Sequence, residues 1–255
     1  ADAAQPQVNK LYHRVLEASF RNADLLAGHP TLPLRNLVKY VPWLKAGSKE
    51  TEELENGPCF IYPEVSASVQ GFVRSRVSKG GIYLFSDTGA ATVDQSVFIF
   101  RHGNGKTDRL TYLFANVLPL GSSQIEQRAA LEAGESNWRS LEKWRRLKET
   151  GDTATQLTIA RNQVGHGLQK ETIATLFTSK KKLNADNIEK QLQELRVIFG
   201  GGGHVENPYE KSVIGAFGDE RVFGIRPHIL MSLGCHYPMI LALRKRFHVG
   251  CHAYG

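Results

Sequence analysis

Asp87-Thr88-Gly89-Ala90-Ala91-Thr92-Val93-Asp94 is the stretch on which the reading of this chain turns. Gly81-Ile82-Tyr83-Leu84-Phe85-Ser86 precedes it and Gln95-Ser96-Val97-Phe98-Ile99-Phe100 follows it. Both flanks have strand composition. An acid at the end of one strand, a tight turn of very small residues, then a hydroxyl and a second acid is the chemistry of a phosphate site. Small side chains let backbone N–H groups approach phosphate oxygens, and N–H groups converging in a turn form an anion-binding concavity. A carboxylate beside such a turn holds Mg²⁺, usually through water. The same residues also make an ordinary hairpin turn, so the rest of the chain has to choose between the two readings.

Bulk properties set the frame. The 255 residues suffice for one large domain or two small ones, and 41% apolar with 22% charged residues describes a packed core rather than a disordered chain. No apolar run is long enough to span a membrane. The first residues, Ala1 to Pro6, have no signal-peptide h-region and no initiator Met, which suggests a piece excised from a longer chain. Three cysteines, Cys59, Cys235 and Cys251, argue for a reducing compartment and hence a cytoplasmic protein. The net charge of +7 is spread out. Its denser groups, Arg145-Arg146, Lys180-Lys181-Lys182 and Arg244-Lys245-Arg246, read as solvated helix faces and ends, so a nucleic-acid partner is not expected.

Hydrophobic periodicity places helices at about 8–28, 34–44 and 65–76, a loop at 46–58 and a short strand at 59–62. Strands follow at 81–86, 91–100 and 109–118, with a turn at His102 to Lys106. A helix begins at Gln124, with Ser122 or Ser123 as its N-cap. Residues 128–185 are mostly helical, with Trp138, Leu141, Trp144 and Leu147 as a packing stripe. A helix over 187–196 gives way to a strand at 196–199 that runs into Gly200-Gly201-Gly202-Gly203. A helix starts near 205–208. The last helix is expected at about 227–247, kinked by Gly234 and Pro238.

Four sites thus recur at strand ends, where open α/β sheets place ligands: Pro63-Glu64, the 87–94 hairpin, Leu120-Gly121-Ser122-Ser123, and Phe199 to His204. In this order and spacing the chain resembles the superfamily of actin, DnaK-like chaperones and sugar kinases, over about residues 58–240 and closest to the DnaK-like branch. The resemblance implies an α/β fold with a ribonuclease-H-like mixed sheet flanked by helices. It implies the second lobe of a two-lobed ATPase, with ATP and Mg²⁺ between the lobes. Residues 58–127 and 186–255 would form the nucleotide lobe and 128–185 a helical insert. Residues 1–57 would belong to, or lead from, a first lobe whose own Asp-x-Gly-x-x-x-Ser/Thr loop is not found upstream of residue 58.

By the same resemblance, Asp87 and Asp94 are acids near the metal, and Glu64 orients the attacking water. The backbone of Thr88, Gly89, Ala90 and Ala91 cradles the terminal phosphates, and Thr92 contacts the γ-phosphate or the water. Gly121 and Ser122 face ribose or phosphate. Gly200, Gly201, Gly202 and Gly203 admit the adenosine, and His204 stacks on adenine. Lobe closure would act on a protein client or partner. Ala90, Ala91 and Ser122 depart from glycines common in the family, and Gln95 from a β-branched apolar residue. These departures keep open a non-hydrolysing nucleotide sensor or scaffold, and a phosphotransferase for a small acceptor is the third reading. Cys235, His236, His248, Cys251 and His252 crowd the C-terminus, where only His248-x-x-Cys251 has the spacing of paired zinc ligands.

Overall fold

The computed structural model describes residues 78–103, 108–135, 137–183, 194–203, 208–222 and 225–233, with 10, 11, 13–17, 20, 69 and 72. The chain divides into two compact units, Ala1–Pro63 and Glu64–Gly255. In the first unit the described residues are helical.

The second unit is built on a five-stranded mixed sheet in the order β3-β2-β1-β4-β5. Strands β1 (Gly81–Thr88), β2 (Val93–Arg101) and β3 (Arg109–Leu118) form an antiparallel meander. Strand β4 (Glu194–Gly200) then pairs parallel with β1, and β5 (Arg226–Leu233) parallel with β4. A three-stranded meander extended by two parallel strands on the far side of β1 is the ribonuclease-H-like arrangement. Between β3 and β4 lie helices α1 (Ser123–Glu132), α2 (Trp138–Glu149) and α3 (Thr155–Lys181). Between β4 and β5 lie α4 (Tyr209–Gly215) and two short 3₁₀ turns, Ala216–Gly218 and Glu220–Val222.

Side-chain alternation explains why β1 is central. Ile82 and Leu84 point to one face with Val93, Val97, Leu195, Val197 and Phe199, against Leu157, Ala160, Val164, Leu168 and Leu176 of α3. Tyr83 and Phe85 point to the other face, with Phe98, Phe100, Ile198, Val69 and Phe72. A strand apolar at every position from 82 to 85 satisfies two cores at once. On α3 the buried positions recur every three or four residues, the signature of one apolar stripe.

Several expectations shift. Strand β1 runs two residues further than the expected 81–86 and β2 starts at Val93 rather than 91, so the loop is residues 89–92, and Asp87 and Asp94 are ladder partners rather than loop residues. The expected helix at 227–247 is overturned over its first residues, because Arg226–Leu233 is a strand paired with β4 from Glu194 to Gly200, with one register shift between Val197 and Ile198. Ile229-Leu230-Met231 is a short apolar run that fits either period. Pairing to an open sheet edge decides for strand, and Pro227 is tolerated because β5 ends the sheet among the described residues. Strand β4 likewise begins at Glu194, taking the last residues of the helix expected at 187–196; the rest of that helix lies outside the described residues. In the α2 stripe Trp144 is buried and Leu141 and Leu147 pack on the core, but Trp138 is 70% exposed. Outside the described residues lie the elements expected at 34–44, 46–58 and 59–62, most of those at 8–28 and 65–76, and the 204–207 and 234–255 segments. Among the described residues no helix is long and apolar enough to cross a membrane.

Candidate functional site

The β1–β2 hairpin tip, the β3–α1 loop and the end of β4 converge at one end of the sheet. Gly89 N–H donates to Thr92 O at 2.9 Å, closing the tip. The three carbonyls of the tip then receive amides from the β3–α1 loop: Gly121 N–H to Ala91 O at 3.1 Å, Ser122 N–H to Gly89 O at 2.9 Å and Ser123 N–H to Ala90 O at 2.8 Å. The first turn of a helix carries N–H groups without intrahelical acceptors. Here tip carbonyls take the Ser122 and Ser123 amides, while Gln124 N–H and Ile125 N–H donate to Gly121 O and Ser122 O, and Ser122, at the N-cap position, makes no side-chain capping bond. Three such bonds at ~1 kcal/mol net each hold the tip in place by roughly 3 kcal/mol.

This geometry also explains Gly121. A Cβ there would strike Ala90 O, the Ala91 carbonyl carbon and Thr92 N, so only glycine lets the two backbones cross. With their amides bonded to the tip, Gly121 and Ser122 brace the loop from behind.

The loop is gripped elsewhere too. Tyr209 Oη donates to Leu120 O at 3.0 Å, and Lys148 Nζ donates to Ser122 O at 3.1 Å. Lys148 also meets Glu126 Oε2 at 2.8 Å, and both side chains are nearly fully buried. Glu126 Oε1 accepts from Arg145 Nε at 3.1 Å, which raises the Arg145 guanidinium above its ordinary value. Sequence reasoning missed Lys148, Glu126 and Tyr209. The available signal was Glu126 in the first turn of a helix, which points equally to a helix-dipole role.

The glycine run after β4 wraps around the end of β1. Gly201 has φ +76°, and a Cβ there would collide with Thr88 O and the Asp87 carboxylate. A Cβ on Gly200 would lie 2.7 Å from the Phe85 ring, and one on Gly203 2.7 Å from Thr88 Cγ2 and 3.3 Å from Ser122 Cβ. Gly202 has open space around it. Asp87, Thr88, Gly121, Ser122, Gly200, Gly201 and Gly203 are therefore neighbours, and the tip residues Gly89, Ala90, Ala91 and Thr92 sit above them. Gly89 to Ala91 are exposed. The Ala90, Ala91 and Thr92 amides find no acceptor among the described residues.

Asp87 and Asp94 face each other across the ladder, and Asp87 is also the register partner of Gly200. Like charges directly opposite are unfavourable, and a cation beside them relieves the repulsion. Two carboxylates at a sheet end suit a hydrated Mg²⁺. Among the described residues no group of three or more His, Cys, Asp and Glu is placed to hold a metal.

On the helix side of the sheet, Gln95 is wholly buried. Its Nε2 donates to Thr172 Oγ1 at 2.8 Å and reaches Ser86 Oγ at 3.4 Å, while its Oε1 has no hydrogen-bond partner. A residue expected to be apolar thus ties the site end of β2 to α3. Glu64 and His204 lie outside the described residues, as do the C-terminal cysteines and histidines.

No family model and no curated protein matches the sequence. Solved structures similar to the chain include a non-polymerisable quadruple mutant of pCBH ParM, at 13% identity and TM-score 0.47, covering 74% of this chain and 55% of that one. They also include the PilM–PilN type IV pilus biogenesis complex, at 14% identity and TM-score 0.44, covering 77% and 55%. A third is the ethanolamine utilization protein EutJ from Carboxydothermus hydrogenoformans, at 14% identity and TM-score 0.40, covering 69% and 53%. The chain spans little more than half the length of each. Likeness at this level says nothing of what this chain binds.

Proposed function

We propose that this chain is a nucleotide-binding lobe that takes the phosphates of ATP at its hairpin tip and, with a first lobe from the same or another chain, closes on nucleotide to act on a protein partner. One observation carries the reading: a pinned, exposed tip whose Ala90, Ala91 and Thr92 amides lack acceptors among the described residues stands over the opposed Asp87 and Asp94 carboxylates. Preorganised amides bind an anion without reorganising when it arrives. Mg²⁺, held by Asp87 and Asp94 through water, would neutralise phosphate charge. Thr92 closes the tip through its carbonyl, and a Cβ at Gly202 would meet nothing within 4 Å. Glu64 is assigned the orientation of water, and His204 the adenine contact, on the sequence resemblance.

Titration of the full-length protein with a fluorescent ATP analogue, with and without Mg²⁺, tests this reading. Binding strengthened by Mg²⁺ is expected, with the Mg²⁺ effect lost in Asp87→Asn/Asp94→Asn. Absence of binding at millimolar nucleotide, or binding indifferent to Mg²⁺ and to both substitutions, would overturn it.

A non-hydrolysing sensor of the same fold is favoured by Ala90 and Ala91 standing at the tip. Phosphate release separates the two readings. If wild type and Glu64→Ala are equally silent while ATP still binds, the sensor reading holds.

A further inference from the structure

Strand β3 ends the sheet among the described residues. Its ladder with β2 breaks once, at Leu113, and is continuous from Phe114 to Leu118. No proline or lysine interrupts Arg109–Leu118, and the devices that blunt an edge, the break at Leu113 and the charge of Arg109, both lie before the continuous Phe114–Leu118 segment. On the face away from α3 it exposes Tyr112 at 41% and Val117 at 65%. The face toward α3 is strongly basic. Arg101 and Arg109 are direct cross-strand partners, both exposed. The C-terminus of α3 adds Lys181, its ammonium 4.2 Å from the Phe177 ring centroid, and Lys182, 5.5 Å from that of Phe114. Two arginines directly opposite one another repel, so an anion between them is stabilising.

We propose that the outer edge of β3 docks an extended acidic segment of a partner protein as an added strand. Main-chain hydrogen bonds supply the affinity of such an addition, and alternate side chains its specificity. The period of two sets the sequence that fits. Acidic residues would fall on the face of Lys181, Lys182, Arg101 and Arg109, and apolar residues on the face of Tyr112 and Val117. A second copy of this chain suits the edge poorly. Antiparallel self-pairing centred near Phe114 would set Lys182 against its own copy.

The test uses the full chain and a fluorescein-labelled peptide of alternating Glu and Val, as long as β3, followed by anisotropy. Expected are binding that weakens at ~0.3 M salt and a loss of about tenfold or more in Lys181→Glu/Lys182→Glu. Slower amide exchange at Ala115, Asn116 and Val117 should accompany binding. Both lysines are exposed, and circular dichroism checks that the variant is folded. The same peptide N-methylated along one edge should not bind. Equal binding of the N-methylated peptide would reduce the surface to charge adsorption and overturn the proposal. So would binding of duplex DNA but not peptide, or a dimer of the chain abolished by Val117→Lys.

Discussion

Gly201 shows how a single residue holds the site together. With φ at +76° and Thr88 O and the Asp87 carboxylate where its Cβ would go, it lets the end of β4 fold over the end of β1. Gly201→Ala should cost about 2 kcal/mol or more in urea denaturation, combining left-handed strain with a backbone clash. Gln95 makes the opposite case. Its buried Oε1 has no partner, and Thr172 Oγ1 already donates to Leu168 O at 2.8 Å. Gln95→Met should therefore change stability by less than about 1 kcal/mol in either direction, because an unsatisfied buried acceptor costs what its amide bond gains. Asp219 reports on pH. Hydrogen bonds from the Arg221 side chain, then its backbone N–H, lower the Asp219 carboxyl to about 2. Because the folded-state value is depressed, the stabilisation is present above the ordinary unfolded value of about 3.9. It is lost as the pH falls through about 2. Carboxyl-carbon NMR should find this midpoint in the wild type and an ordinary Asp midpoint in Arg221→Ala.

Among elements, the junction of α1 with the hairpin tip matters most. Helix α2 sends in Lys148, nearly fully buried, to meet both Glu126 and the carbonyl of Ser122. Lys148→Met leaves Glu126 its contact with Arg145, so the variant loses hydrogen bonds to a charged group rather than stranding a carboxylate, and should destabilise by about 1.5–3 kcal/mol. Lys148→Met/Glu126→Leu should recover most of the loss, because removing both charges removes the desolvation penalty with them. Urea denaturation of the four proteins in the cycle checks this. The three strands of the meander were legible from their β-branched and aromatic runs. The start of α1 and the mostly helical character of 128–185 were legible, as was the packing stripe of α2, but the division into α1, α2 and α3 was not. Nor was strand β5. Ile229-Leu230-Met231 carries no period, and only the open edge of β4 made it a strand. Lys148 was equally hidden. Its neighbours Arg145, Arg146 and Glu149 give the end of α2 the composition of a solvated face, and nothing local marks the one lysine that turns inward.

For the molecule as a whole, nucleotide binding should appear as linkage. If ATP with Mg²⁺ binds only the folded chain, ligand at 100 times its Kd adds about 2.7 kcal/mol of stability. A rise in Tm with ATP and Mg²⁺ is expected, and a smaller one in Asp87→Asn/Asp94→Asn. Local sequence was enough for the meander, the helical segment after it, the small-residue tip and the glycine run. Each is written in near-neighbour terms: alternation, apolar spacing, and side chains too small to block a backbone. Folding in three dimensions had to settle that the tip carbonyls cap α1, that Gly121 and Gly201 are needed for chain crossings, and that Asp87 and Asp94 stand opposite one another. Those facts depend on register and on the approach of segments far apart in the chain, and no local pattern encodes them.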